Sequence, residues 1–149
     1  MLFTAAAEPV SACSCTNYPD FDRAVAQSNV ILLGEVTAIR PAGPGYFEAV
    51  IVSMRVVGWW KGAPPNTMID IITGQDDGIC GVHFDIGSQY LVYAFNGAGL
   101  YGGPGTSPWT HSCWRTHEVY PDYPDPDIAA LGPVPTRAPS WGALKISYR

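Results

Sequence analysis

The chain has 149 residues, of which 47% are apolar and 14% charged, with 16 Gly, 14 Pro and a net charge of −5. That length fits one domain, and so few charges beside so many Gly and Pro argue for a loop-rich β protein rather than a helical bundle. Its eight Lys and Arg are scattered, which argues against a nucleic-acid or anionic-membrane surface, and no apolar run approaches the roughly 20 residues of a membrane-spanning helix.

The lead from Met1 to Ala12 ends in Val10-Ser11-Ala12. Small residues at 10 and 12 fit a signal-peptidase site of the A-x-A type. Cleavage there makes Cys13 the N-terminus of an exported protein and marks 1–12 as the remnant of a signal peptide. The lead is short and carries no Lys or Arg, as if the start lay upstream or the chain were truncated. Val10-Ser11-Ala12-Cys13 also resembles a lipobox, and lipidation of Cys13 would give a lipid-anchored alternative that uses up its thiol. The cysteines are Cys13, Cys15, Cys80 and Cys113. An even number behind an export signal points to two disulfides. Of the three pairings, the one joining Cys13 to Cys15 is least favoured, because a bridge across one residue is strained. Each long-range bridge is worth roughly 4 kcal/mol in the chain-entropy model.

The spacing predicts a short helix over Tyr18 to Gln27, capped by Asp20, with Phe21, Ala24, Val25 and Ser28 on one face. Asn29 to Ile39 is a β-branched run that predicts a long strand, and Gly34 within it marks a bulge or bend. After a turn at Pro41 to Gly45, a second strand runs from Tyr46 to Val57. Its more apolar face, Val50, Val52, Met54 and Val56, is the expected core side rather than Phe47, Ala49, Ile51, Ser53 and Arg55. Gly58-Trp59-Trp60-Lys61-Gly62 closes that strand and Ala63 to Asn66 is a turn. Thr67 to Thr73 is the third strand, and Gly74 to Gly78 a loop that delivers Cys80-Gly81. Ser88 to Phe95 is the fourth strand, and a fifth is expected from Trp109 to Cys113 after the Gly/Pro-rich loop Asn96 to Pro108. Asp125 to Gly132 predicts one or two helical turns, with Asp125 as cap, Pro126 at the first position and Gly132 as stop. Residues 133–149 form a Pro-rich tail. The expectation is mainly β: five strands and one or two short helices in a small, partly open barrel, of which the OB type is one member and to which a small sandwich is the alternative.

Little else in the sequence carries chemistry. His83, His111 and His117 are scattered, with no H-E-x-x-H and no cysteine–histidine spacing of a zinc finger. Asp76-Asp77-Gly78 lacks the alternating acidic ligands of a calcium loop and is expected to be a turn. Gly102-Gly103-Pro104-Gly105 is followed by no Lys-Ser/Thr and is not a phosphate loop. There is no G-x-S-x-G elbow. Neither enzymatic activity nor a cofactor is expected. Trp59, Trp60, Tyr101, Trp109 and Trp114 are expected to complete a core or rim; exposed together they would make a carbohydrate- or peptide-binding face.

The residues also resemble a known family. Cys13-Ser14-Cys15 at a processed N-terminus is followed by Ser28-Asn29-Val30-Ile31-Leu32-Leu33-Gly34-Glu35-Val36 and Val56-Val57-Gly58-Trp59-Trp60-Lys61-Gly62. Cys80-Gly81, Tyr90-Leu91-Val92-Tyr93-Ala94 and Ser112-Cys113 complete the series. In this order they resemble the N-terminal inhibitory domain of the tissue inhibitors of metalloproteinases, within the wider netrin-like group, over Cys13 to about Leu131. The similarity implies a domain over 13–132 with an OB-like barrel stapled by Cys13–Cys80 and Cys15–Cys113. It implies a secreted inhibitor whose partner is a zinc metalloprotease. The α-amine and carbonyl of processed Cys13 would chelate the target's zinc, and Ser14 would enter the neighbouring pocket. Cys15, Thr16 and the loop Asp77-Gly78-Ile79 would supply further contact. With four cysteines in all, the third bridge of the family's inhibitory domain is missing, and nothing in this sequence after Cys113 supplies the cysteine-rich second domain of the family's animal members. The alternative is an exported OB-fold module that is structural or binds another ligand.

Overall fold

The computed structural model describes residues 13–62 and 67–134. The expected signal remnant, the Ala63 to Asn66 turn and nearly all of the Pro-rich tail lie outside the described residues. The fold is mainly β. Five antiparallel strands, β1 (Val30–Pro41), β2 (Ala49–Lys61), β3 (Met68–Gly74), β4 (Gln89–Ala94) and β5 (His117–Val119), form one sheet in the order β3-β2-β1-β4-β5. Two short helices, α1 (Phe21–Gln27) and α2 (Pro126–Leu131), accompany it.

Local chemistry sets the helix ends. The Asp20 carboxylate accepts the Arg23 N–H at 2.8 Å, and the Ser28 N–H returns to the Ala24 carbonyl, so α1 is closed at both ends. It starts at Phe21 rather than Tyr18, because Pro19 biases the residue before it away from helical backbone and Asp20 is itself extended. In α2, Asp125 Oδ1 accepts the N–H groups of Asp127 and Ile128 at 2.9 and 3.0 Å, with Pro126 at the first turn and Gly132 beyond the end.

β1 over 30–36 and β4 are covered on both faces, which is why Val30-Ile31-Leu32-Leu33 and Tyr90-Leu91-Val92-Tyr93-Ala94 read as unbroken apolar runs. Alternate residues separate into two clusters, as the pleat requires. Val30, Leu32, Val36, Val52, Met54, Ile71, Tyr90 and Val92 pack with Phe84 on one face. Ile31, Leu91 and Tyr93 pack on the other with Ala24 of α1, Trp114, Val119 and the half-buried Ile128 and Leu131 of α2. The expected core face of β2 is correct at its centre, where Val52 and Met54 are fully buried. At its start the opposite face is also covered, because Ala49 and Ile51 meet Ile72, Tyr101 and Trp109. The β1–β2 ladder shifts register three times, once between Leu33 and Gly34, where the sequence marked a bulge.

The fifth strand differs from expectation. It is His117–Val119, paired with Gln89 to Leu91 of β4, and not Trp109 to Cys113. The latter segment is reduced to a one-residue crossing. Trp109 bridges Phe95 antiparallel and Ile72 of β3 parallel, through Trp109–Phe95 hydrogen bonds of 2.9 Å each way and the pair Ile72 N–H to Pro108 C=O (2.8 Å) and Thr110 N–H to Ile72 C=O (2.9 Å). Beyond it Thr110 turns its hydroxyl inward to the Tyr93 carbonyl at 2.8 Å, and a turn closes from His111 to Trp114. The ladder of β-strands is therefore open, with β3 and β5 as its edges.

Candidate functional site

The N-terminal residues are held at two points. Cys13 is bridged to Cys80 and Cys15 to Cys113, with Cα separations of 5.3 and 5.1 Å and sequence separations of 67 and 98. These are the two pairs implied by the family resemblance. Between and beyond the bridges Ser14, Cys15 and Thr16 are exposed, whereas Cys13 is half-buried.

The Cys80 anchor is built from its own loop. After β3, the Asp76 side chain accepts the Gly78 N–H at 2.8 Å and caps a single 3₁₀ turn over Asp77–Ile79. Asp76-Asp77-Gly78 is thus a turn, as expected. The Cys80 N–H then reaches the Asp77 carbonyl, and the Gly81 N–H the Asp76 carbonyl at 2.9 Å. A side chain at 81 is sterically forbidden, since a Cβ there would lie 2.2 Å from the Gly74 carbonyl oxygen. The Cys80 carbonyl accepts from the Tyr101 hydroxyl at 2.9 Å and from the Ser112 N–H at 2.8 Å, which ties one bridge to the chain entering the other. Of the predicted contact loop, Asp77 and Gly78 are exposed and Ile79 is half-buried, and the Cys13–Cys80 bond brings this loop to the N-terminal segment.

Two residues that no sequence pattern singled out brace the other end of that segment. Arg115 donates through Nε to Asp127 Oδ2 at 2.8 Å, through Nη2 to Asp127 Oδ1, and through Nη1 to the Pro19 carbonyl at 3.3 Å. The Tyr93 hydroxyl donates to the same Asp127 carboxylate at 3.0 Å. Burial alone would raise the Asp127 carboxyl, but the hydrogen bonds from Arg115 and Tyr93 and the Arg115 charge outweigh it and hold it below the usual range. Burial, reinforced by Asp127, pushes the Tyr93 phenol up. Trp114 is buried beside this network, its indole N–H donating to Ser28 Oγ at 2.9 Å. The chain is thus fixed at Cys13, Cys15 and Pro19, with 14–18 exposed between those anchors.

The sulfurs themselves cluster. The Sγ atoms of Cys13, Cys80 and Cys113 lie within 4.8 Å of one another, Cys13 and Cys113 being 3.7 Å apart across the two bridges. As disulfides they offer no thiolate, the form a metal ion takes. Among the described residues no other group of three His, Cys, Asp or Glu side chains has metal-binding geometry. His83 sits exposed beside Asp85, His111 stacks on Phe95 and Trp109, and His117 is held between the Arg115 carbonyl and Asp125. A groove of about 520 Å³ lies by Asn29, Met68, Asp70, Asn96 and Thr106, and among the described residues no aromatic side chain lines it. The five aromatics expected at a core or rim go to packing: Tyr101 and Trp114 are buried, and Trp59, Trp60 and Trp109 pack against the three apolar clusters. No family model matches this chain, and no curated protein matches it.

Proposed function

We propose that this chain is an exported inhibitor of zinc metalloproteases that acts through Cys13 once the peptide bond from Ala12 is cut. The observation that carries the proposal is the pair of bridges on either side of Ser14, which leaves a short exposed segment with little freedom to lose. A segment fixed before it docks has less ordering cost on binding. The freed α-amine has an ordinary pKa of about 7.7–8.0, so a neutral fraction exists near pH 7, and a nearby zinc ion favours that neutral, ligating form. Amine and carbonyl of Cys13 together chelate the metal at the open position of a catalytic zinc site. The water they displace is the nucleophile the protease needs. Ser14 enters the adjoining pocket, where its small side chain sets selectivity, while Thr16 and Asp77-Gly78-Ile79 touch the rim. The sheet is read as a partly open OB-like barrel, supported by the Trp109 backbone joining the β3 edge to Phe95. The rival reading, a carbohydrate- or peptide-binding face, needs aromatics exposed together, and among the described residues none lines this groove.

The test compares protein beginning at Cys13 with protein carrying one extra alanine before it, against a panel of zinc metalloproteases cleaving a fluorogenic peptide. The Cys13 form is expected to inhibit, and the extended form to lose inhibition while keeping both bridges and its unfolding midpoint. Equal inhibition by the two forms refutes chelation; no inhibition by either refutes the function.

A further inference from the structure

The closeness of the two bridges gives the sulfur cluster a chemistry of its own, independent of any protease. Cys13 Sγ and Cys113 Sγ belong to different disulfides yet are 3.7 Å apart, which is van der Waals contact between sulfurs. A bond between them needs an approach of roughly 1.7 Å, to the ordinary S–S length of about 2.05 Å, and, since the Cys13, Cys80 and Cys113 sulfurs all lie within 4.8 Å of one another, a swing of the freed Cys113 side chain into line with the Cys13–Cys80 bond. Of the four cysteines only Cys15 is exposed; Cys13, Cys80 and Cys113 are half-buried. An external thiol therefore meets the Cys15 end of the cluster first.

We propose that the four cysteines form a disulfide relay, in which reduction entering at Cys15 is passed inward and leaves Cys13 bonded to Cys113. The reductant is a dithiol. One of its thiolates attacks Cys15 Sγ, forming a mixed disulfide with Cys15 and expelling Cys113 as thiolate. Cys113 then attacks Cys13 Sγ, forms the Cys13–Cys113 bond and expels Cys80 as thiolate. The second thiol of the reductant resolves the mixed disulfide and frees Cys15. Two electrons pass from the dithiol to the protein, the dithiol ends as its disulfide, and Cys15 and Cys80 end as thiols. Each step is the displacement of one sulfur by another, and it proceeds through the thiolate. The outcome is a rearrangement rather than a simple loss. Cys13 stays tied to the body through Cys113, the Ser14–Thr16 side loses its second clamp, and the Asp77–Cys80 loop is uncoupled from the N-terminal segment. The cluster thereby becomes a redox-sensitive modification site with Cys15 as its exposed thiol.

Oxidised full chain is exposed to limiting dithiothreitol, quenched in acid and alkylated, and the singly reduced fraction is mapped by peptide mass spectrometry. Labels on Cys15 and Cys80, with a Cys13–Cys113 cross-linked peptide, are expected. Labels on Cys15 and Cys113 with Cys13–Cys80 intact, or on Cys13 and Cys80 with Cys15–Cys113 intact, overturn the relay. Cys15→Ser gives a second arm without reductant, because it leaves Cys113 as a thiol beside Cys13–Cys80. Alkylation is then expected to shift to Cys80, and label confined to Cys113 overturns the proposal. Should that variant fail to fold, the limiting reduction of the native chain decides alone. Neither arm reads protease inhibition, so failure of the relay is distinguishable from failure of the inhibitory function.

Discussion

Asp127→Ala tests the brace behind the N-terminal segment. The Asp127 residue is 3% exposed and its carboxylate takes two bonds from Arg115 and one from Tyr93. Removing it strands the hydroxyl of a fully buried tyrosine, which costs about 1–3 kcal/mol. It also leaves the Arg115 charge without its partner; breaking a buried pair costs about 3–5 kcal/mol. The Arg115 side chain keeps 23% of its exposure, so water recovers part of that loss, and the expected total is about 3 kcal/mol. Asp127→Asn keeps an acceptor for one donor and should lose about 1–2 kcal/mol. The double change Arg115→Met with Asp127→Leu removes both charges and should recover part of the single-variant loss. The sign with pH follows from the depressed carboxyl. Its stabilisation is present above the unfolded value of about 3.9 and disappears as pH falls through the lower folded value. Wild type should therefore lose stability below about pH 4, and Asp127→Ala should lack that component. Urea unfolding followed by tryptophan fluorescence, with the bridges intact, reads all three variants. A loss under about 1 kcal/mol for Asp127→Ala refutes the reasoning, since the pair would then behave as an exposed ion pair.

Three further outcomes are expected. Gly99 has φ +47°, and a Cβ there would lie 1.9 Å from the Trp109 ring, so Gly99→Ala should cost about 1–3 kcal/mol in urea unfolding and alter Trp109 emission. Ser28→Ala strands the buried indole N–H of Trp114, and a loss of about 1–3 kcal/mol is expected; an unchanged midpoint would contradict it. Burial lowers the pKa of His111, so the unfolded chain takes up its proton first and stability falls as pH drops through the unfolded value of about 6.5. His111→Phe, set among the rings of Phe95, Trp109 and Trp114, should flatten that part of the thermal-midpoint profile.

What the sequence made legible was local. Asp20, Asp125, Pro126 and Gly132 announce their helices because capping is a matter of neighbouring residues. The long apolar runs announce β1 and β4 because burial on two faces needs no polar alternation. The edge of the sheet was not legible. His117-Glu118-Val119 has no β-branched run to mark it, while Trp109 to Cys113 resembles a strand and is stopped after one bridged residue by the inward Thr110 hydroxyl and the turn that follows. The Arg115–Asp127 pair was hidden for another reason. An acid in the first turn of a helix and an arginine after a tryptophan each have an ordinary local explanation, and only the packing of α2 on the face that holds Tyr93, Trp114 and Val119 brings them together. Ser28 shows the reverse case: its place on the apolar face of α1 was a signal, since a hydroxyl among apolar residues needs a donor or acceptor, and the Trp114 indole supplies it. For the candidate site, the C-x-C pair and its distant partners were readable, whereas the 3.7 Å contact between the bridges depends on how Cys80 and Ser112 meet in space.

The chain order of the cysteines carries a consequence for biosynthesis. Cys13 and Cys15 leave the ribosome first, and their partners follow 67 and 98 residues later, a delay on the order of 5–20 s for the longer interval at ordinary elongation rates. Until Cys80 follows, the two leading thiols have only each other within reach. The leading cysteines are therefore locked only when the distant ones arrive, and a cell that makes this chain must either postpone oxidation until Cys113 has emerged or supply an isomerase to undo premature pairs.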